Sequence, residues 1–419
     1  MDYSRPLDTD ATVHIAMVML PGLNHTTPRT FSASPLLLNP GGPGASGARM
    51  VQSWGIRARE MVGQEQDVIG FDPRGIGYSL PRVDCFSSLT NKRSTQKGQI
   101  PGNIKRLVWE VSGLQSGIIN SEGDSNLVQL DERNLAMAKL CEADSYIDGQ
   151  NNILRHVNTM NVVKDIASIL DAWGIWVSSE SPADDASVSE TKLSFWGFSY
   201  GTLLGSTFAA LYPHRISRVV LDGILDADDY TKYVWGSNIQ DIDNVLEYFF
   251  HQCSFVKSLC QLYHPDDTYL DIKIRFHKIM DRLKESSMVF VDPFTTMPMV
   301  MTHGRAKQYI FDAMHHPMDS FPKLAQALSG IENDNYTAIA EMIKLPFEPD
   351  SAALCKEQEP PLVILESARA VVCSDKHEPV RTSIIKFKSS TVLLKSQDNL
   401  RNQLQGRYMI LQSLDLICR

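Results

Sequence analysis

The pentapeptide Gly197–Gly201, with the sequence Gly-Phe-Ser-Tyr-Gly, is the segment best suited to chemistry. It joins an apolar run at residues 193–198 to a helical pattern at residues 200–211. A serine on a sharp strand-to-helix turn presents its Oγ clear of the backbone, and flanking glycines leave room for the turn. Ser199 is therefore predicted to be a nucleophile in acyl transfer; the alternative is a glycine-rich packing helix with an idle serine.

A second glycine-rich segment, Asn39–Gly44, has the sequence Asn-Pro-Gly-Gly-Pro-Gly and follows an apolar run at residues 35–38. Acyl transfer develops an oxyanion, which two pre-aimed backbone N–H groups can stabilise. Pro43 has no N–H, so Gly42 or a neighbouring glycine is the expected first donor. The N–H of Tyr200, just past the nucleophile, is the expected second donor. The alternative is a plain turn.

A third glycine turn lies within residues 67–79, where Asp72 and Arg74 are expected to pair and to brace the loops around Ser199. This role is structural. A phosphate-binding loop is excluded because neither G-K-[ST] nor G-x-G-x-x-G occurs at this turn.

A serine hydrolase also needs a histidine to take the serine proton and a carboxylate to orient that histidine. The candidates that follow Ser199 are Asp222, at the end of a strand, and the pair Asp375 and His377. A carboxylate and an imidazole two positions apart rarely face each other as a triad requires. The other late histidines fall in a helical region.

Seven cysteines are too few and too scattered to predict a disulfide framework. One cluster, His251, Cys253, Cys260 and His264, could be drawn as a zinc site. The preferred interpretation is an amphipathic helix in which cysteine acts as a small apolar residue. No metal and no cofactor are expected.

Composition limits the class of protein. The 419 residues include 40 Lys and Arg against 49 Asp and Glu, a net charge of −9, which offers no basic field for nucleic acid. No apolar stretch reaches the length of about 20 residues that a membrane helix needs. The first residues lack the apolar core of a signal peptide, so the default expectation is a soluble, cytoplasmic chain.

Apolar runs alternate with helical patterns in the first half, which is typical of a parallel sheet with crossover helices. Strands are predicted at residues 12–20, 35–39, 67–71, 193–198 and 216–221, and helices at 47–62, 160–173 and 200–211. Gly174 is predicted to end the second helix, and residues 177–191 to form a solvated loop. Residues 226–348 show helical patterns with no convincing buried strand, which predicts an inserted cap.

Five segments together resemble the tripeptidyl-aminopeptidase-like branch of the α/β-hydrolases, related to proline iminopeptidases, and the fungal members are most similar. They are Asp2–Pro6, Asn39–Gly44, Gly70–Gly77, Gly197–Gly201 and Val219–Gly223. The resemblance implies an α/β-hydrolase fold: a mostly parallel sheet with helices on both faces and an inserted helical cap. It also implies a core at 1–225, a cap at 226–350, and at 351–419 the end of the cap with a remnant leading to a missing C-terminal domain.

The resemblance implies a serine peptidase or esterase that acts on short peptides with a free N-terminus, or on small esters or amides, with a secondary-metabolite pathway as the expected setting. In that family the acid lies in a D-x-x-x-P turn and the base in a late G-H turn, and neither occurs here. The alternative is a truncated, catalytically inactive protein that acts as a binding or regulatory remnant.

Overall fold

The computed structural model describes residue 3 and residues 12–23, 31–86, 102–115, 131–142, 152–180, 190–232, 240–294, 296–342 and 365–376. The described strands are β1 Met17–Leu20, β2 Leu36–Asn39, β3 Val68–Phe71, β4 Leu193–Phe198, β5 Ile216–Asp222, β6 Met288–Val291 and β7 Pro298–Met301.

Five of these strands form one sheet in the order β1-β3-β2-β4-β5. β1 runs antiparallel to β3, and the remaining pairs are parallel. β2 and β3 are buried throughout, which agrees with their nearly continuous apolar sequences because both faces of a parallel sheet are covered. All five predicted strands are present; β1 begins at Met17, later than the predicted residue 12.

Some helices lie between the strands of the five-stranded sheet in sequence, and the others follow β5. They are α1 Gly47–Val62, α2 Gly102–Gln115, α3 at 131–142, α4 Thr159–Glu180, α5 Tyr200–Leu211, α6 Ala227–Lys232, α7 Ile242–Val256, α8 Tyr269–Glu285, α9 His303–His315, α10 Pro317–Glu332, α11 Tyr336–Met342 and α12 Leu365–Ser374. The predicted bounds of α1 and α5 are confirmed.

The predicted end of α4 at Gly174 is wrong, because the helix continues to Glu180 and includes the start of the predicted loop. Gly174 instead allows a close approach: a Cβ there would lie 2.7 Å from Thr191 Oγ1. Beyond it, Trp176 packs on Phe31 with ring centroids 4.6 Å apart. This aromatic contact favours the helical turns that the glycine alone would weaken.

The prediction of a strand-free cap is also wrong, because β6 and β7 pair as an antiparallel hairpin. Met288, Phe290 and Met301 point inward, and Val289 and Val300 point outward. Apolar residues on both faces conceal the two-residue alternation by which a half-buried strand is recognised.

The helices after β5 share one hydrophobic core with the sheet. This core contains Phe195 from β4 and Phe250 from α7. Among the residues that the structure describes, no helix combines the length and the apolar character needed to cross a bilayer.

Candidate active site

Ser199 occupies the turn between β4 and α5, and its backbone is in an unusual conformation. Its φ is 52° and its ψ is −121°, a region that residues with a Cβ rarely adopt. The Ser199 N–H donates to the Asp222 carbonyl at 3.0 Å, which ties the turn to the end of β5. The residue is solvent-exposed. The strained turn therefore presents an accessible serine hydroxyl.

The glycines around Ser199 are needed because a Cβ at these positions would lie too close to neighbouring atoms. A Cβ on Gly197 would lie 2.5 Å from the Gly201 carbonyl oxygen, and one on Gly201 would lie 2.7 Å from Asn39 Oδ1. One turn further along α5, a Cβ on Gly205 would lie 2.9 Å from the Phe195 ring. Gly201 and Gly205 therefore allow α5 to pack closely against the sheet.

The loop after β2 lies directly against this turn. Gly41 has φ +83°, and a Cβ there would lie 2.2 Å from the Phe198 carbonyl oxygen and 2.9 Å from the Tyr200 nitrogen. The Gly41 N–H is already used, because it donates to Asn39 Oδ1 at 2.9 Å. The next N–H in the loop belongs to Gly42, which is exposed and also has a positive φ, +109°.

Tyr200 is the first residue of α5, so its N–H has no intrahelical acceptor. Its side chain is buried, with 2% exposed, and its hydroxyl lies 2.6 Å from Thr159 Oγ1. Thr159 in turn donates to Asp375, which also accepts from the Tyr230 hydroxyl at 2.8 Å. Burial, and secondarily the Asp375 charge, raises the pKa of Tyr200 well above its ordinary value, so the phenol is neutral.

The structure gives the two candidate acids different surroundings. The Asp222 side chain is exposed at the end of β5, and the Asp375 carboxylate is bonded to Thr159 and Tyr230. His377 lies outside the described residues. Within the described part of the chain, no imidazole is hydrogen-bonded to the Ser199 hydroxyl.

Two described histidines in the region after β5 have other neighbours. His251 stacks on Tyr269 with ring centroids 4.0 Å apart, and His315 Nδ1 lies 2.9 Å from the Phe311 carbonyl oxygen. The structure therefore brings the nucleophile turn and the Gly42 loop together, without joining a described histidine to them.

The expected pairing of Asp72 with Arg74 is wrong. Arg74 forms a bidentate pair with Asp165 of α4. Asp72 accepts from the Ser46 hydroxyl at 2.5 Å and the Ala48 N–H at 3.1 Å, at the N-terminus of α1. The first helical turn offers unpaired N–H groups that attract a carboxylate, and the sequence spacing of Asp72 and Arg74 did not reveal these partners.

The prediction that the cysteines are too scattered for disulfides is also wrong. Cys85 bonds to Cys141, which is 56 positions away in sequence, and Cys253 bonds to Cys260. Cys373 is also disulfide-bonded. The fold brings distant cysteines together, so their spacing in sequence was a poor guide. Because Cys253 and Cys260 bond to each other, neither sulfur is a thiolate that could bind zinc.

Sequence reasoning missed two members of the network beside Ser199. Neither Thr159, at the start of α4, nor Tyr230 of α6 belongs to a motif. Their hydrogen bonds to Asp375 can be recognised only in the folded structure, where α4, α5 and α6 meet around this residue.

The sheet order, the crossover helices and the strained serine turn define an α/β-hydrolase fold. A family model described as "alpha/beta hydrolase fold" matches residues 188–253, which include β4, Ser199 and β5.

Three relatives are similar to parts of this chain. Serine protease Hip1 of Mycobacterium tuberculosis is 30% identical over 227 residues, and tripeptidyl aminopeptidase of Streptomyces lividans is 26% identical over 230 residues. Each match covers 54% of this chain and 34% of the relative. Carboxylesterase B of M. tuberculosis is 38% identical over 86 residues, 20% of this chain and 15% of that protein. The chain therefore spans about a third of the length of the first two relatives.

Proposed function

We propose that this chain carries the nucleophile and oxyanion-binding elements of a serine hydrolase. The observation that carries the proposal is the exposed Ser199 at φ 52°, with the Gly41 loop packed directly against its turn. In the reaction, Ser199 Oγ attacks a substrate carbonyl and its proton leaves to a general base. The Gly42 and Tyr200 N–H groups stabilise the oxyanion, and each such donor contributes roughly a hundred- to a thousandfold in rate.

Collapse of the tetrahedral intermediate breaks the C–N or C–O bond and releases an amine or an alcohol. The acyl group stays on Ser199 until water attacks it and releases the acid. No described residue is assigned as the base, and the sequence candidate His377 remains a proposal for that role.

We propose short peptides with a free N-terminus as the substrate class, with small esters or amides as the second choice. The similarity to a tripeptidyl aminopeptidase supports the first. The shorter similarity to a carboxylesterase supports the second. A matched substrate set separates them: a chromogenic tripeptide amide, the same amide N-acetylated, and a nitrophenyl ester. An aminopeptidase cleaves the first and rejects the second.

A catalytically inactive binding protein is the competing proposal, favoured by the lack of contact between Ser199 and any described histidine. Loss of the base in a serine hydrolase costs on the order of a millionfold in kcat. A fluorophosphonate probe decides between the two. We expect a single adduct on Ser199, found by peptide mass mapping and absent in Ser199→Ala. Equal labelling of both proteins, or of neither, would sink the hydrolase proposal.

The disulfides also bear on location. We propose that the chain folds in an oxidising compartment, because structural disulfides persist there and are rare in the cytosol. This replaces the cytoplasmic default taken from sequence. Counting free thiols in denatured protein from oxidising and reducing expression hosts tests it: recovery of folded protein only from the reducing host would contradict the proposal.

A further inference from the structure

Helix α12 and the residue that follows it reach both halves of the proposed oxyanion hole. A Cβ on Gly44, in the loop that holds Gly42, would lie 3.2 Å from the Ala368 nitrogen and 3.3 Å from Ser367 Oγ. The first turn of α12 therefore packs against that loop. Just past the other end of α12, Asp375 lies at the network that holds Tyr200.

The hydrogen bonds around Asp375 have a fixed direction. An ionised carboxylate only accepts, and a threonine hydroxyl has one hydrogen to donate. Thr159 Oγ1 donates to Asp375 Oδ2 at 2.7 Å, so the Tyr200 hydroxyl donates to Thr159. Tyr230 donates to the same carboxylate oxygen at 2.8 Å, and the Thr159 N–H donates to Asp375 Oδ1 at 2.6 Å.

This chain of bonds holds the Tyr200 side chain in the protein interior. Tyr200 and Tyr230 are 2% and 1% exposed, so water does not readily replace a lost partner. Rotation of the peptide between Ser199 and Tyr200 would relieve the strain at Ser199 and turn the Tyr200 N–H away from the oxyanion. The Ser199 carbonyl already resists this rotation, because it accepts from the Thr202 N–H at 2.9 Å and the Thr202 hydroxyl at 2.6 Å. An anchored Tyr200 ring opposes that rotation.

We propose that Asp375 is a positioning residue for the oxyanion hole, acting through Thr159 on Tyr200, and that α12 couples this anchor to the Gly42 loop. The inference rests on the proposed function of Ser199 and goes beyond it. It gives Asp375 a role as the acceptor from two hydroxyls and a backbone N–H.

The test measures kinact and KI for a fluorophosphonate, since these separate the bond-forming step from binding. We expect Tyr200→Phe and Asp375→Asn to lower kinact on the order of 10- to 100-fold with KI unchanged, because misplaced donors lose transition-state contacts only. Thr159→Val should behave like them, and Thr159→Ser, which keeps the hydroxyl, should retain the original kinact. Tyr248→Phe and Asp281→Asn, on exposed cap positions, are the matched controls.

A double variant tests whether Asp375 acts through Tyr200 or only stabilises the N-terminus of α4. Tyr200→Phe combined with Asp375→Asn should lose no more than the more severe single variant, because both interrupt one chain of bonds. An additive loss, or an unchanged kinact in Tyr200→Phe, overturns the inference while labelling of Ser199 keeps the proposed function. Absence of labelling in the unaltered protein overturns both. If Asp375→Asn does not fold, Tyr200→Phe and the two Thr159 variants still test the inference, because they interrupt or keep the same chain of bonds.

Discussion

Arg74 and Asp165 form a buried bidentate ion pair that joins the turn after β3 to the middle of α4. The Nε–Oδ2 distance is 2.6 Å, the second N–O distance is 2.5 Å, and the two side chains are 2% and 4% exposed. The Tyr3 hydroxyl also donates to Asp165 at 2.8 Å. The pair fixes the position of α4, whose first residue is Thr159, relative to the sheet.

We expect Asp165→Ala to destabilise the protein by about 3–5 kcal/mol, because it removes the bidentate carboxylate partner of the buried Arg74 guanidinium. Urea denaturation gives the free energy of unfolding. Replacing both partners, Arg74→Met with Asp165→Leu, should recover most of the loss. A double variant as unstable as the single one would contradict this account.

Gly41→Ala should reduce the fluorophosphonate labelling rate of Ser199 about 100-fold, because the added Cβ displaces the turn that carries the nucleophile. Gly63→Ala is the matched control: Gly63 also has a positive φ, +131°, but nothing lies within 4 Å of its added Cβ. We expect the control to change stability and to leave the labelling rate unaltered. If Gly63→Ala and Gly41→Ala reduced the labelling rate equally, backbone strain alone would explain the effect.

The two fully described disulfides should contribute unequally to stability. The stabilisation grows with the length of the loop that is closed, which gives about 4 kcal/mol for the 56-residue separation of Cys85 and Cys141 and about 2.5 kcal/mol for the 7-residue separation of Cys253 and Cys260. Pairwise replacement by alanine and denaturant unfolding measure both. A larger loss from the shorter loop would refute the loop-length argument.

Asp267 should make the stability of the protein depend on pH. Its hydrogen bond to Arg275 holds the pKa of the carboxyl below its ordinary value. The folded state therefore binds the proton less readily than the unfolded state, and the stabilisation is present above about pH 4 and lost as the pH falls through the folded pKa. We expect Asp267→Asn to lower Tm at pH 7, with a difference that shrinks below about pH 4.

Asp281→Asn, on the exposed side of helix α8, which carries Arg275, should leave Tm unchanged across this range. A Tm difference for Asp267→Asn that stays constant from neutral to acidic pH would exclude ionisation of Asp267 as the cause.

The sheet and the serine turn were predictable because their signals are local. A short stretch of sequence is enough to recognise the apolar runs at β2 and β3. The same holds for the glycines beside Ser199. The partners of Arg74 and of Cys85 were not predictable, because they are distant in sequence and become neighbours only after folding. The hairpin β6–β7 was missed for another reason: its outward valines remove the polar alternation on which strand recognition depends.

The network at Asp375 also constrains the order in which the site is assembled. The Ser199 N–H bonds to the Asp222 carbonyl over a short stretch of chain, whereas Asp375 is 216 positions from Thr159 and 145 from Tyr230. Contacts of such long sequence separation require a large loss of chain freedom before they form. The link between β4 and β5 at Ser199 can thus form early, whereas the Gly41 loop and the tyrosine anchor both reach the turn through long-range contacts, so a competent nucleophile requires both to be in place.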